Sequence, residues 1–188
     1  MKGAKKIIVV SECIYNELCK PGCRVREDKT LEELRTHLAK YHCVMVLKCP
    51  EEEIFGIFRF DTTRKMMERN DFFLERCQKL AKDTAKRIRN YDEALRIKGE
   101  GISEVIIIGV DGSPVCGIER YLDNEGGVPN AGRPKKMEDW YTSFEGSGIL
   151  IELLKNELEE RDIPFKCFGV ENLEKTREKI GAFLNDIS

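Results

Sequence analysis

The sequence predicts an α/β protein, a single-domain Rossmann-like three-layer sandwich built on a parallel sheet of about four strands. Two observations and one rule of chain geometry carry that prediction. Short apolar runs alternate with helical patterns along most of the chain. Most of those runs are apolar nearly throughout, as strands covered on both faces must be. Right-handed crossovers between parallel strands then put helices on both faces of the sheet. With 188 residues the chain suffices for one well-packed domain and is marginal for two, so a single α/β domain over residues 1–188 is expected.

The first strand is "KIIVVS" (6–11). Its apolar run from Ile7 ends at Ser11 and Glu12, too short for a signal peptide or a membrane span, and a cytoplasmic location is expected. "TLEELRTHLAKY" (30–41) reads as a helix, with Thr30 and Glu33 spaced as a capping box and Leu31, Leu34 and Leu38 on one stripe. "CVMVLK" (43–48) is the second strand. From Asp71 to about Lys98, apolar residues recur at Phe73, Cys77, Leu80, Ala81, Ala85, Ile88 and Leu95, which needs one long helix or two in series. "EVIIIGV" (104–110) and "PFKCFGV" (164–170) are the remaining strands, and 148–162 and 172–187 the last two helices. The Gly/Pro-rich stretch 124–136 is the one long loop and a candidate lid.

Charge and cysteine content narrow the function. Lys and Arg number 32 against 34 Asp and Glu, a net charge of -2, so no broad electrostatic grip on a nucleic acid polymer or an anionic membrane is expected. A small or neutral partner is expected instead, bound by a monomer or homodimer. Eight cysteines in a chain of this size and compartment imply free thiols for packing, catalysis or metals rather than a disulfide framework.

Ligands of open parallel sheets bind outside the carboxyl ends of the strands. The first three strands run out into "SECIYNELCKPGC", "CPEEEIFG" and "DGSPVCG", which place Cys13, Cys49 and Cys116 just past those ends. Cys43, Cys77 and Cys167 fit core packing better, because they sit at a strand start, on a helix stripe and inside a strand. Three thiols from distant segments point to a shared metal or cluster, or to redox catalysis. Soft thiolates without histidine suit an iron-sulfur cluster or zinc. His37 and His42 belong to the opposite end of the second strand and read as surface or packing residues. A three-cysteine site leaves one coordination position open, as catalytic metals do; Cys19 or Cys23 would close it into a structural centre.

The motifs also resemble a known family. Cys13 and Cys19, separated by five residues after a "VVS" strand, resemble the "C-L-L-G-x-x-C" start of the thiouracil desulfurase family. "CPE" (49–51) matches its second motif, and "SPVCG" (113–117) resembles its "S-P-S-C-G", with Val115 in place of the second Ser. "FGIFRF" (55–60) and 146–164 resemble a longer branch of that family. The resemblance implies a [4Fe-4S] cluster on Cys13, Cys49 and Cys116, with one iron free for the substrate's sulfur. It also implies Glu51 and Ser113 as the polar catalytic pair, and an enzyme that removes sulfur as sulfide from a small thiolated compound such as a thiouracil-like base.

Read from the residues alone, Glu51 is equally a first-turn residue favoured by the helix dipole after Pro50, and Ser113 a turn former before Pro114. Gly112 and Gly117 permit positive φ around Cys116, which would let backbone amides face cluster sulfurs. Arg59 reads as an exposed arginine or a partner for a substrate anion. Phe55, Phe58 and Phe60 read as core or as walls of a heterocycle pocket. Arg133, Lys135 and Lys136 read as solubilising residues of the loop.

Overall fold

The computed structural model describes residues 5–20, 29–41, 43–59, 62–124 and 141–170. The predicted helix 172–187, most of the 124–136 stretch, Cys23, His42, Phe60, Arg133, Lys135 and Lys136 lie outside those residues. The elements run in the order β1 (Lys5–Ser11), α1 (Glu12–Tyr15), a 3-10 turn (Glu17–Cys19), α2 (Lys29–Leu38), β2 (Val44–Leu47), α3 (Pro50–Phe55) and α4 (Arg64–Glu68). They continue with α5 (Asp71–Ile97), β3 (Ile102–Val110), β4 (Arg120–Asp123), β5 (Thr142–Glu145), α6 (Ile149–Glu159) and β6 (Phe165–Val170).

The four strands expected from sequence form one parallel sheet in the order β2-β1-β3-β6. The apolarity of the central strands β1 and β3 has the predicted cause. Successive residues point to opposite faces, and both faces are covered. Ile7, Val9, Val105 and Ile107 pack with Phe73, Cys77, Ala81, Ala85 and Ile88 of α5 and with Ile151, Leu154 and Leu158 of α6. Ile8, Val10, Ile106 and Ile108 pack with Leu31, Leu34 and Leu38 of α2. The α/β three-layer sandwich is therefore the fold.

One local reading is corrected, and one left with two alternatives is decided. Thr30 is already helical, so it does not cap α2, which begins at Lys29. Residues 71–97 form one uninterrupted helix, started by Asn70, whose side chain accepts the Phe73 amide at 3.0 Å. A two-stranded antiparallel sheet, β4 against β5, was not predicted; each strand has only four residues, and Tyr121 stacks on Phe144 across the pair at 5.7 Å. No helix among the described residues is long and apolar enough to cross a membrane.

The strand order places the functional edge. β1 is flanked by β2 on one side and β3 on the other, so the chain leaves β1 in one direction and later returns in the other. The crevice opened by that reversal lies beyond the carboxyl ends of β1 and β3.

At the opposite end, Asp92 of α5 clamps the start of β3: its carboxylate accepts the Ile102 amide at 2.8 Å and Arg96 Nε at 2.6 Å. Burial pushes this carboxyl up, but the Ile102 amide and Arg96 outweigh it and hold it below its ordinary value. A depressed carboxyl adds stability that is complete above its unfolded value, about 4, and is lost as pH falls through the lower folded value. Asp92→Asn should lower stability at neutral pH and flatten that part of the acid limb, measured by urea denaturation across pH.

Candidate functional site

Ser11 ends β1, and Glu12 and Cys13 follow at once in α1. Glu12 is buried, and its carboxylate accepts Lys48 Nζ at 2.6 Å and the Cys49 amide at 2.9 Å. One side chain thus ties the exit of β1 to the exit of β2 and sets Cys13 relative to Cys49. Cys49 occupies the N-cap position of α3, with Pro50 opening the helix and Glu51 in its first turn.

Arg59 is not exposed. Its side chain is 3% accessible and lies over the site. Nη1 donates to the Gly56 carbonyl at 2.9 Å, while Nη2 donates to the Cys19 carbonyl at 2.9 Å and reaches Cys49 Sγ at 3.8 Å. Nε stands 3.9 Å from Glu51 Oε1, which accepts the Thr62 hydroxyl at 2.7 Å. Of the two readings of the aromatics, Phe55 takes the core one, stacking on Phe73 at 5.7 Å, while Phe58 is 87% exposed.

Cys116 sits in a tight turn after β3 whose own side chains and carbonyls take up its amides. The Ser113 hydroxyl oxygen accepts the amides of Val115 at 3.2 Å and Cys116 at 3.0 Å. Asp111 Oδ1 accepts those of Ile118 at 2.8 Å and Glu119 at 3.0 Å, and the Ser113 carbonyl accepts that of Gly117 at 3.0 Å. The amides of residues 115–119 therefore serve the turn, not a bound group, which corrects the expectation for the loop backbone. Gly112 does adopt positive φ, 86°. Gly117 serves differently: a Cβ there would meet the Arg120 carbonyl oxygen at 2.3 Å.

The start of α6 locks the turn from behind. The amides of Gly148, Ile149 and Leu150 donate to the carbonyls of Gly117, Pro114 and Val115 at 2.9, 3.0 and 3.0 Å. These are the donors a helix leaves unpaired at its start, and no side chain caps this one.

The three strand-end thiols sense one another. Burial, then the charge of Cys49, pushes the Cys13 thiol up to about 12. Burial, then Cys13 and Cys49, pushes Cys116 up, with the Ser11 hydroxyl pulling the other way. Cys49 is pushed up by its contact with the Cys19 thiol, then by burial and by Glu51, against the Glu52 amide and Arg59. The site therefore gathers Cys13, Cys49, Cys116 and Glu51, with Cys19 beside Cys49.

Cys77, read as a core residue, is buried in the core and also faces this group: burial, then Glu51 and Cys49, pushes it up to about 12. Cys43 and Cys167 stand apart: burial pushes both thiols up, with Arg87 and Lys155 respectively pulling the other way. Among the described residues, no three His, Cys, Asp or Glu side chains are arranged around a single metal ion.

Glu12, Arg59, Asp111 and Ser11 are the site residues that sequence reasoning missed or misjudged. A usable signal existed for two of them, Glu12 and Asp111: an acidic residue directly after a buried strand has nearby amides to accept. No family model matches the chain, and no curated protein or solved structure matches it significantly.

Proposed function

We propose that the protein is a desulfurase that removes sulfur, as sulfide, from a small thiolated compound by a non-redox route, using a [4Fe-4S] cluster held by Cys13, Cys49 and Cys116. The observation that carries this reading is the meeting of these thiols with Glu51 at the carboxyl edge of the sheet. The donor set suits the group in kind, because it is all sulfur and its thiols are free. Because burial holds the thiols protonated, loading must displace protons. The chemistry a cluster with an open iron supplies when bound is that of a Lewis acid toward a thiocarbonyl.

The residues supply the rest. Glu51 takes a proton from the attacking water as the new carbon-oxygen bond forms, and the carbon-sulfur bond then breaks to release hydrosulfide. Water and thiocarbonyl become carbonyl and hydrogen sulfide, with no electron gained or lost. Ser113 holds the turn that carries Cys116, and its hydroxyl proton remains available to donate to a substrate.

A second reading has one observation in its favour. The contact of Cys19 with Cys49 places a fourth thiol where it would close the site into a non-catalytic metal or iron-sulfur module. Anaerobic reconstitution of wild type and Cys19→Ser, followed by iron and sulfide analysis and assay of sulfide release from 2-thiouracil, separates the two. The desulfurase reading expects Cys19→Ser to keep its iron and release sulfide. Loss of iron in Cys19→Ser favours the closed module, and stoichiometric zinc without sulfide in wild type removes the cluster.

A further inference from the structure

Four polar or charged residues are buried among the described ones: Ser11, Glu12, Thr63 and Asp123. Glu12 accepts Lys48 and the Cys49 amide, Thr63 accepts the Met66 amide, and Asp123 accepts the amides of Lys65 and Asn124. Ser11, 1% accessible, alone of the four has no hydrogen-bond partner for its side chain among the described residues. Its place in the chain offers one. Ser11 stands at the N-cap of α1, where a serine oxygen ordinarily accepts an amide of the first turn, and here it does not. A buried hydroxyl turned away from its local partner is a cost to the fold unless a bound group accepts from it.

The strand pairing shows where that group would stand. Side chains of β1 and β3 alternate between faces, and Ile7, Val9, Val105 and Ile107 share the face covered by α5 and α6. Ser11 and Gly109 continue that face at the carboxyl edge, one step beyond the Val10–Ile108 pair. Cys116 lies over Gly109, where an added Cβ would stand 2.2 Å from the Cys116 carbonyl oxygen, and packs in the same core group as Val9 and Ile107. The Ser11 hydroxyl is close enough to act on the Cys116 thiol, without a hydrogen bond between them. A neutral thiol is a weak acceptor, whereas a sulfur that ligates a metal centre is a strong one.

We propose that Ser11 is a positioning residue of the site: its hydroxyl donates a hydrogen bond to the Cys116 sulfur when that sulfur ligates the bound centre. This rests on the cluster reading above. It differs from the role of Ser113, whose oxygen is already occupied by the Val115 and Cys116 amides in the cluster-free protein.

The experiment compares wild type, Ser11→Ala and Ser113→Ala, each before and after anaerobic reconstitution. Before it, Ser11→Ala should unfold at a urea concentration no lower than wild type, because its hydroxyl has no partner to lose, while Ser113→Ala should unfold earlier. After it, Ser11→Ala should hold its iron about ten- to a hundredfold less tightly against a chelator, the usual effect of removing a partner of a metal ligand. Its reduction potential should also move to a more negative value, since a donor to a ligand sulfur favours the reduced form. Earlier unfolding of cluster-free Ser11→Ala would reveal a protein partner for the hydroxyl and overturn the proposal. So would iron retention or a potential equal to wild type. Iron and sulfide analysis of wild type keeps the two failures apart: their absence removes the cluster reading and this proposal with it, and their presence with an unmoved Ser11→Ala potential removes this proposal alone.

Discussion

Glu51→Gln should lower sulfide release from an accepted thiolated substrate by about 10²- to 10⁴-fold, the usual contribution of a general acid-base group. The substitution is nearly isosteric. Its amide oxygen can still accept the Thr62 hydroxyl that Glu51 Oε1 holds at 2.7 Å, so the fold and the iron content should be unchanged. What disappears is the group able to take a proton beside Cys49, and with it a charge that adds to burial and to the neighbouring thiols in raising Cys13, Cys49, Cys77 and Cys116. The measurement is turnover against iron content, each per chain. Undiminished release at full iron would leave the desulfurase standing and remove Glu51 from its chemistry. Ser113→Ala should behave differently, because the Ser113 oxygen accepts the Val115 and Cys116 amides. Its larger effect should be on stability and iron retention, with the two amides left seeking a partner.

Gly109→Ala and Gly148→Ala should each destabilise the protein by about 3 kcal/mol, at the upper end of overpacking costs, because the obstructing atoms are backbone. A Cβ at Gly109, in β3, would lie 2.2 Å from the Cys116 carbonyl oxygen. One at Gly148 would lie 2.4 Å from the Val115 carbonyl carbon and 2.7 Å from the Cys116 amide nitrogen. Neither contact is relieved by turning a side chain, so the Cys116 turn must shift. Stability by urea midpoint should fall in both, and the spectrum of any reconstituted cluster should weaken with it. Gly101→Ala is the contrast: its added Cβ would meet an Asp92 oxygen at an ordinary 3.7 Å. An unchanged midpoint in Gly109→Ala or Gly148→Ala would mean that the turn is not held as tightly as these distances require.

The parts of this protein legible in its sequence are those that local pattern determines. A strand buried on both faces must be apolar along its length, so the central β1 and β3 could be read directly, and the flanking β2 and β6, where Val46 and Lys166 stay exposed, from their mostly apolar runs; with them came the parallel sheet. The stripe from Phe73 to Ile88 repeats every three to four residues and announces α5. Because a parallel sheet presents all its carboxyl ends at one edge, Cys13, Cys49 and Cys116 could be assigned to a common edge before any contact was known. Only the tertiary structure decided what surrounds them. Arg59 is buried because the Cys19 carbonyl, 40 residues away in sequence, accepts from it. Glu12 faces inward because the Cys49 amide, 37 residues away, needs an acceptor. Cys77 looks like one more apolar position on its stripe until α5 packs it toward Cys49 and Glu51. Gly117 and Gly148 are small because a backbone passes within 3 Å of where a Cβ would stand. Such contacts have no period and no local preference. They arise from which segments the fold brings together; the place of Glu12 directly after a buried strand hinted at an amide to accept, but not at which one.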